Sequence, residues 1–193
     1  MSLLLIHWLL KTTASTLLCR RLDPTHSIMT ILTEAVMSEC LCVIPARGGS
    51  KRIPRKNIKP FLNQPIIAYA ITTALQSSLF SEVMVSTDDD EIAQVAREMG
   101  AKVPFMRSKE TSTDHASTVD VICEVLQQYK NNGREFEAVC CVYPTAVFVT
   151  TDMLKRARSL MCEKSFDVVF PLIPYSHPIQ RAFSVDQEEG GRG

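Results

Sequence analysis

CLCVIPARGGSKRIPRKN, spanning Cys40 to Asn57, is the stretch on which the reading of the whole chain turns. Its opening run, CLCVIPA, is continuously apolar and carries the β-branched Val43 and Ile44, the pattern of a strand buried on both faces. The remainder sets Arg47, Lys51, Arg52, Arg55 and Lys56 among Gly48, Gly49 and Pro54, a composition that cannot form a regular helix. Such a cluster repels itself unless an anion or well-screening water lies among the charges. In an open α/β sheet, ligands bind beyond the carboxyl ends of the strands, and the loop leaving the first strand is a favoured place. Gly48 and Gly49 are expected to adopt positive φ and bring main-chain N–H groups to an anion as a concave nest. Ser50 adds a hydroxyl there, Arg47 and Lys51 add charge, and Pro54 limits the entropy lost when a ligand orders the loop.

Downstream of this loop, strand and helix patterns alternate. QPIIAYAITTALQSS places Ile66, Ile67, Ala70, Ile71 and Ala74 at helical spacing behind Pro65, which suits a first turn. EVMVST reads as a short strand, and DDDEIAQVAREMG as a helix with acids at its N-terminus and Gly100 at its C-terminus. KVPFM is a brief extended segment. STVDVICEVLQQYKNNG reads as a helix capped by Ser117 or Thr118 and ended near Gly133, and EAVCCVY as another buried strand. TTDMLKRARSLMCEK is expected as a helix with Thr151 or Asp152 near its cap, followed by the strand FDVVFPLI. This rhythm implies right-handed crossovers and a doubly wound, mostly parallel α/β sheet, Rossmann-like in class.

The chain as a whole bounds the function. Its 193 residues and 46% apolar content suit one core, and equal numbers of basic and acidic side chains, 21 each, make the basic loop a local feature. Nucleic acid, which calls for a broad basic face, is therefore disfavoured as a partner. Seven cysteines show no C-x-x-C pair and no zinc-like spacing with the four histidines, which favours reduced thiols and a cytoplasmic setting. The apolar start, MSLLLIHWLLKTTASTLLCRRLDP, is interrupted by Lys11 and lacks the positive charge that precedes a secretory h-region. Residues 1–36 are accordingly read as an appendage, disordered or non-native, with Met29 or Met37 as alternative starts, and residues 37–193 as the domain. The acidic run Asp88 to Glu91 reads as charge at a helix N-terminus in preference to a metal site.

Neither G-x-x-x-x-G-K-[ST] nor G-x-G-x-x-G is present, so P-loop NTPases and dinucleotide dehydrogenases are unsupported. IPARGGSKRIPRKNIKPF instead resembles the signature of the sugar-acid cytidylyltransferases, the group that includes CMP-N-acetylneuraminate synthetases. VMVSTDDDEIAQVA, VPFMRS with TDHASTVDVI, and VCCVYPTAVFVTTDML with FDVVFPLIPYSHPIQRAF extend the likeness from about Glu39 to Phe183. The YPTAV segment is most similar to the pseudaminic acid branch, where sialic acid synthetases carry a QPTSP-type sequence.

This resemblance implies a nucleotidyltransferase fold and transfer of CMP from CTP to a nine-carbon sugar acid with release of pyrophosphate and help from Mg²⁺. It implies catalytic roles for Arg47 and Lys51. It implies nucleotide contacts from Ala46, Arg47, Gly48, Gly49, Ser50, Lys51, Lys56 and Asn57, and a main-chain contact near Ser86 with the cytosine edge. Sugar-acid contacts are implied for Asp114, Thr118 and Thr145, and for Gln180 and Arg181 near a fifth strand end. A helix cap with a polar loop is the competing reading of Asp114 and Thr118, and a surface arginine that of Arg181. Relatives continue past the point matching Gly193, through aspartates that resemble metal ligands and a part that builds a homodimer. A C-terminally truncated domain is therefore expected, with its metal ligands unknown.

Overall fold

The computed structural model describes residues 6–9, 39–164 and 166–172. Strand β1 is Ile6–Leu9 and strand β2 is Cys40–Pro45. After the basic loop come a 3₁₀ turn at Lys56–Ile58 and a small hairpin, β3 (Pro60–Phe61) with β4 (Gln64–Pro65). Then follow α1 (Ile66–Ser77), β5 (Glu82–Ser86), α2 (Asp90–Glu98), α3 (Thr118–Asn131), β6 (Ala138–Val142), α4 (Thr151–Glu163) and β7 (Val168–Val169).

The main sheet has the order β5-β2-β6-β1-β7. β2 pairs in parallel with both β5 and β6, whereas β1 pairs antiparallel with both β6 and β7. Four strands thus share one direction and β1 alone opposes them. Within the segment read as an appendage, residues 6–9 therefore stand in the sheet, where their backbone satisfies the edge of β6 that would otherwise lack partners. The remainder of that segment lies outside the described residues.

Alternation along the buried strands sends side chains to two cores. Cys40, Cys42, Ile44, Val83, Val85, Cys140 and Val142 face α1, α2 and α4, packing on Ile67, Ile71, Ile92, Leu154 and Met161. Leu41, Val43, Met84, Val139 and Cys141 face α3 through Ile122, Val125 and Tyr129. Helices thus cover both faces, as the continuous apolar strands require.

Caps fix the helix starts. Asp89 caps α2 by accepting from Ile92 N–H, and Ser117 with Asp120 forms a capping box on α3. Thr150, one residue before the expected position, caps α4 through Met153 N–H, because Thr150 still has extended backbone. Pro65 sits one residue before α1 rather than in its first turn, since its backbone also belongs to the hairpin. Gly100 (φ +91°) and Gly133 (φ +74°) end α2 and α3 as expected. KVPFM contributes only a parallel bridge from Lys102 to Met84, and the FDVVFPLI strand is short, with β7 restricted to two residues among those described.

Candidate functional site

The carboxyl ends of β2, β5 and β6 meet at a cleft of about 220 Å³. Pro45, Arg47, Lys56 and Asn57 line it from the β2 side, Tyr143, Pro144 and Thr145 from the end of β6, and Ser117, Thr118 and Val121 from the start of α3. Thr111, Thr113, Asp114 and Ala116 approach from the segment preceding α3, and Arg107 lies at the floor. The parallel sheet creates this meeting point, because residues after consecutive strands emerge at the same edge.

The basic loop is held to α2 by its own cations. Arg55, at φ 54°, makes paired hydrogen bonds to Asp89 and reaches Glu91, while Gly48 N–H donates to Asp88 Oδ1 at 2.8 Å. The Arg55 hydrogen bonds outweigh a small burial effect and hold the Asp89 carboxyl below its ordinary range. The acidic run read as helix-terminal charge therefore has a second task, anchoring the loop.

Gly48 and Gly49 do not take positive φ, contrary to expectation; the left-handed positions nearby are Arg55, Leu62 and Asn63. Gly48 is required for a different reason. A Cβ there would stand 2.6 Å from Asp89 Oδ2 and 2.9 Å from Asp89 Cβ, so only a hydrogen lets the loop lie against the start of α2. Gly49 has open space around such a Cβ. Gly48→Ala is expected to destabilise the chain by about 1–3 kcal/mol through overpacking, whereas Gly49→Ala is expected to be neutral, as thermal unfolding of the two variants would reveal.

Of the residues singled out in the sequence, Arg47, Lys56, Asn57, Asp114, Thr118 and Thr145 converge on the cleft. Lys51 is largely exposed and reaches in from outside to pair with Asp114, which also pairs with Arg47. Gly48, Gly49 and Ser50 lie in the loop but are not among the cleft-lining residues, and the Ser50 N–H turns back to the Gly48 carbonyl at 2.8 Å. Ala46 is fully buried, with its N–H given to the Ser86 carbonyl at 2.9 Å. Ser86 is itself buried, and its carbonyl also accepts from Arg107 Nη2 at 2.5 Å while its hydroxyl accepts from Arg107 Nε at 3.0 Å. Gln180 and Arg181 lie outside the described residues.

Arg107 is the residue that sequence reasoning passed over. Only 8% exposed, it makes no ion pair among the described residues. Burial lowers its pKa in spite of the nearby Asp88 and Glu124 charges. The available signal was its position, a cation directly after the extended KVPFM segment beside β5. The YPTAVF stretch faces the cleft as its place after a strand implies, but Tyr143 itself was given no role; its hydroxyl lies 2.6 Å from Thr118 Oγ1.

Asn57 carries the most specific polar signal. It is 4% exposed and donates Nδ2 to the Arg47 carbonyl at 2.9 Å, which fixes its orientation. Its Oδ1 is buried without a hydrogen-bond partner among the described residues. A buried acceptor left unsatisfied costs about 1–3 kcal/mol, a cost that a donor reaching this atom would recover.

These features define a doubly wound α/β domain with an anion-seeking cleft at the carboxyl ends of its parallel strands. The chain belongs to the cytidylyltransferase family, whose model matches residues 41–184. It is 44% identical over 147 residues to a pseudaminic acid cytidylyltransferase of Campylobacter jejuni, a match covering 76% of this chain and 63% of that one. A CMP-N,N'-diacetyllegionaminic acid synthase of Legionella pneumophila is 39% identical over 61% of this chain and 50% of its own. Among solved structures, a CMP:2-keto-3-deoxy-manno-octonic acid synthetase complexed with CTP superposes with a TM-score of 0.56 at 26% identity, covering 66% of this chain and 49% of that one. The chain thus spans less than two thirds of the length of these relatives.

Proposed function

We propose that this chain is the nucleotide-binding part of a cytidylyltransferase that joins CTP to a nonulosonic acid, with pseudaminic acid as the preferred substrate. The observation that carries the reading is the convergence of Arg47, Lys56, Arg107 and Asn57 on one strand-end cleft. An ionised triphosphate has no hydrogen to give to Asn57 Oδ1. A ribose hydroxyl or the cytosine amino group has one, so Asn57 suits the nucleoside, and the cations suit the phosphates. The pseudaminic acid preference is supported by YPTAV at Tyr143–Val147 and by the 44% identity to the Campylobacter relative.

The anomeric hydroxyl of the sugar acid would attack the α-phosphorus of CTP, forming a P–O bond as the bond to pyrophosphate breaks. The loop cations stabilise charge growing on the leaving group, and the hydroxyl pair of Thr118 and Tyr143 orients the sugar acid. Mg²⁺ is taken to arrive with the CTP phosphates, where it would supply further charge neutralisation. Among the described residues no group of three or more potential ligands is suited to a metal, and the cleft carboxylate Asp114 is engaged by two cations, so no step is assigned to the ion. Cytoplasmic residence fits the buried reduced thiols of Cys42, Cys140 and Cys141, and no described helix is long and apolar enough to cross a membrane. A homodimer is the proposed assembly.

Calorimetric titration of this chain with Mg²⁺ and CTP, UTP or ATP tests the base preference, and pyrophosphate release with pseudaminic or N-acetylneuraminic acid tests turnover. CTP is expected to bind about tenfold more tightly than the others, on the basis of one buried acceptor that only the matching base satisfies. Equal affinities that collapse together with added salt would replace this reading with one of general polyanion binding.

A further inference from the structure

We infer that Asp114 is a built-in counter-anion that occupies the place of a ligand phosphate between Arg47 and Lys51, and that a polyphosphate must displace it to bind there. The inference deepens the proposed function and rests on it only for the identity of the natural ligand.

The Asp114 carboxylate bridges Arg47 and Lys51, one oxygen to each, which is the arrangement a phosphate group would take between the same cations. Arg47 Nη1 also reaches the Ser112 carbonyl at 3.5 Å, so the guanidinium grips the segment at two points. The other end of this segment is fastened to α3. Ser108 N–H donates to Glu124 Oε1 at 2.8 Å, the Thr111 hydroxyl donates to Glu124 Oε2, and the Ser112 hydroxyl donates back to the Ser108 carbonyl at 2.6 Å. Residues 108–112 are therefore fastened to Glu124, and Asp114, three residues before the Ser117 cap of α3, is held by charge.

The cleft, of about 220 Å³, is lined by Asp114 beside Arg47, so a ligand that enters it meets the carboxylate. The bridge is also weak by construction. The Asp114 side chain is 33% exposed and that of Lys51 82%, so water screens the attraction. A triphosphate brings several charges against the single charge of the carboxylate, and so wins the competition for both cations.

A ligand that does not reach Arg47 and Lys51 leaves the bridge intact. Asp114 thereby separates ligands by the number of phosphates they carry, favouring a triphosphate over a nucleoside monophosphate.

The test uses inorganic tripolyphosphate, cytidine and CTP with this chain and its Asp114→Asn and Asp114→Glu variants, titrated without metal at low salt. Asp114→Asn is expected to bind tripolyphosphate and CTP about 3- to 10-fold more tightly and cytidine unchanged. Asp114→Glu is expected to stay near the parent, because it keeps the charge. Unchanged or weaker tripolyphosphate binding in Asp114→Asn, with its thermal unfolding intact, would overturn the inference. Tripolyphosphate needs no base recognition, so failure of the cytidine preference appears separately, in the comparison of CTP with UTP.

Discussion

Arg47→Ala is expected to slow pyrophosphate release by on the order of 10²-fold, corresponding to the roughly 2–4 kcal/mol of transition-state stabilisation supplied by one aligned donor at a site of growing charge. Two structural facts make the effect large. Arg47 and Lys56 line the cleft, whereas Arg55 is committed to Asp89 and Glu91 and Lys51 is mostly in solvent. Loss of Arg47 also leaves Asp114 facing the cleft with only Lys51 to neutralise it, which adds repulsion against an incoming phosphate. Steady-state kinetics with CTP and the sugar acid measures this, and a rate within a factor of two of the parent would move the phosphates away from the loop.

Arg107→Met should separate stability from binding. The arginine is buried without an ion-pair partner among the described residues, a condition that costs stability, and methionine fills a similar volume without a charge. Ala46 N–H still satisfies the Ser86 carbonyl after the substitution, but the buried Ser86 hydroxyl loses its bond to Arg107 Nε. The gain and the loss offset, so thermal unfolding is expected near the parent temperature. CTP affinity is expected to fall about 10- to 100-fold, the value of one hydrogen bond from a charged donor. A large fall in unfolding temperature with unchanged affinity would show that Arg107 serves the fold alone.

The pH behaviour of the Asp114 bridge follows from its partners. Lys51, then Arg47, lower its carboxyl to about 2 from the ordinary 3.8. A depressed value in the folded state means that the bridge is complete above the ordinary value and is lost only as pH falls through the folded one. Between pH 5 and pH 8 the difference between the parent and Asp114→Asn is accordingly expected to be flat.

The parallel sheet was legible because CLCVIPA, EVMVST and EAVCCVY are continuously apolar through their centres, which only a strand covered on both faces tolerates. The helices were legible from their spacing and their caps, with errors of one residue at Pro65 and Thr150, where extended backbone persists into the cap. Ile6–Leu9 was not legible as a strand, since three apolar residues and one histidine carry no period of their own and their pairing depends on an edge supplied by β6. The role of Gly48 was misread for a related reason. Its need to be glycine comes from the approach of Asp89, distant in the chain, and not from its own dihedral angles.

By itself the sequence determined the layered α/β class, the position of the basic loop at a strand end, and, through that loop's likeness to a known signature, the family. These are properties of neighbouring residues, carried by local periodicity and composition. Only the tertiary structure decided that Arg107 lies at the floor of the cleft, that Asn57 keeps one oxygen unsatisfied among the described residues, and that Asp114 bridges Arg47 and Lys51. Each depends on atoms brought together from separate strand ends, and the burial and charge at such a meeting point exist only once the sheet has formed.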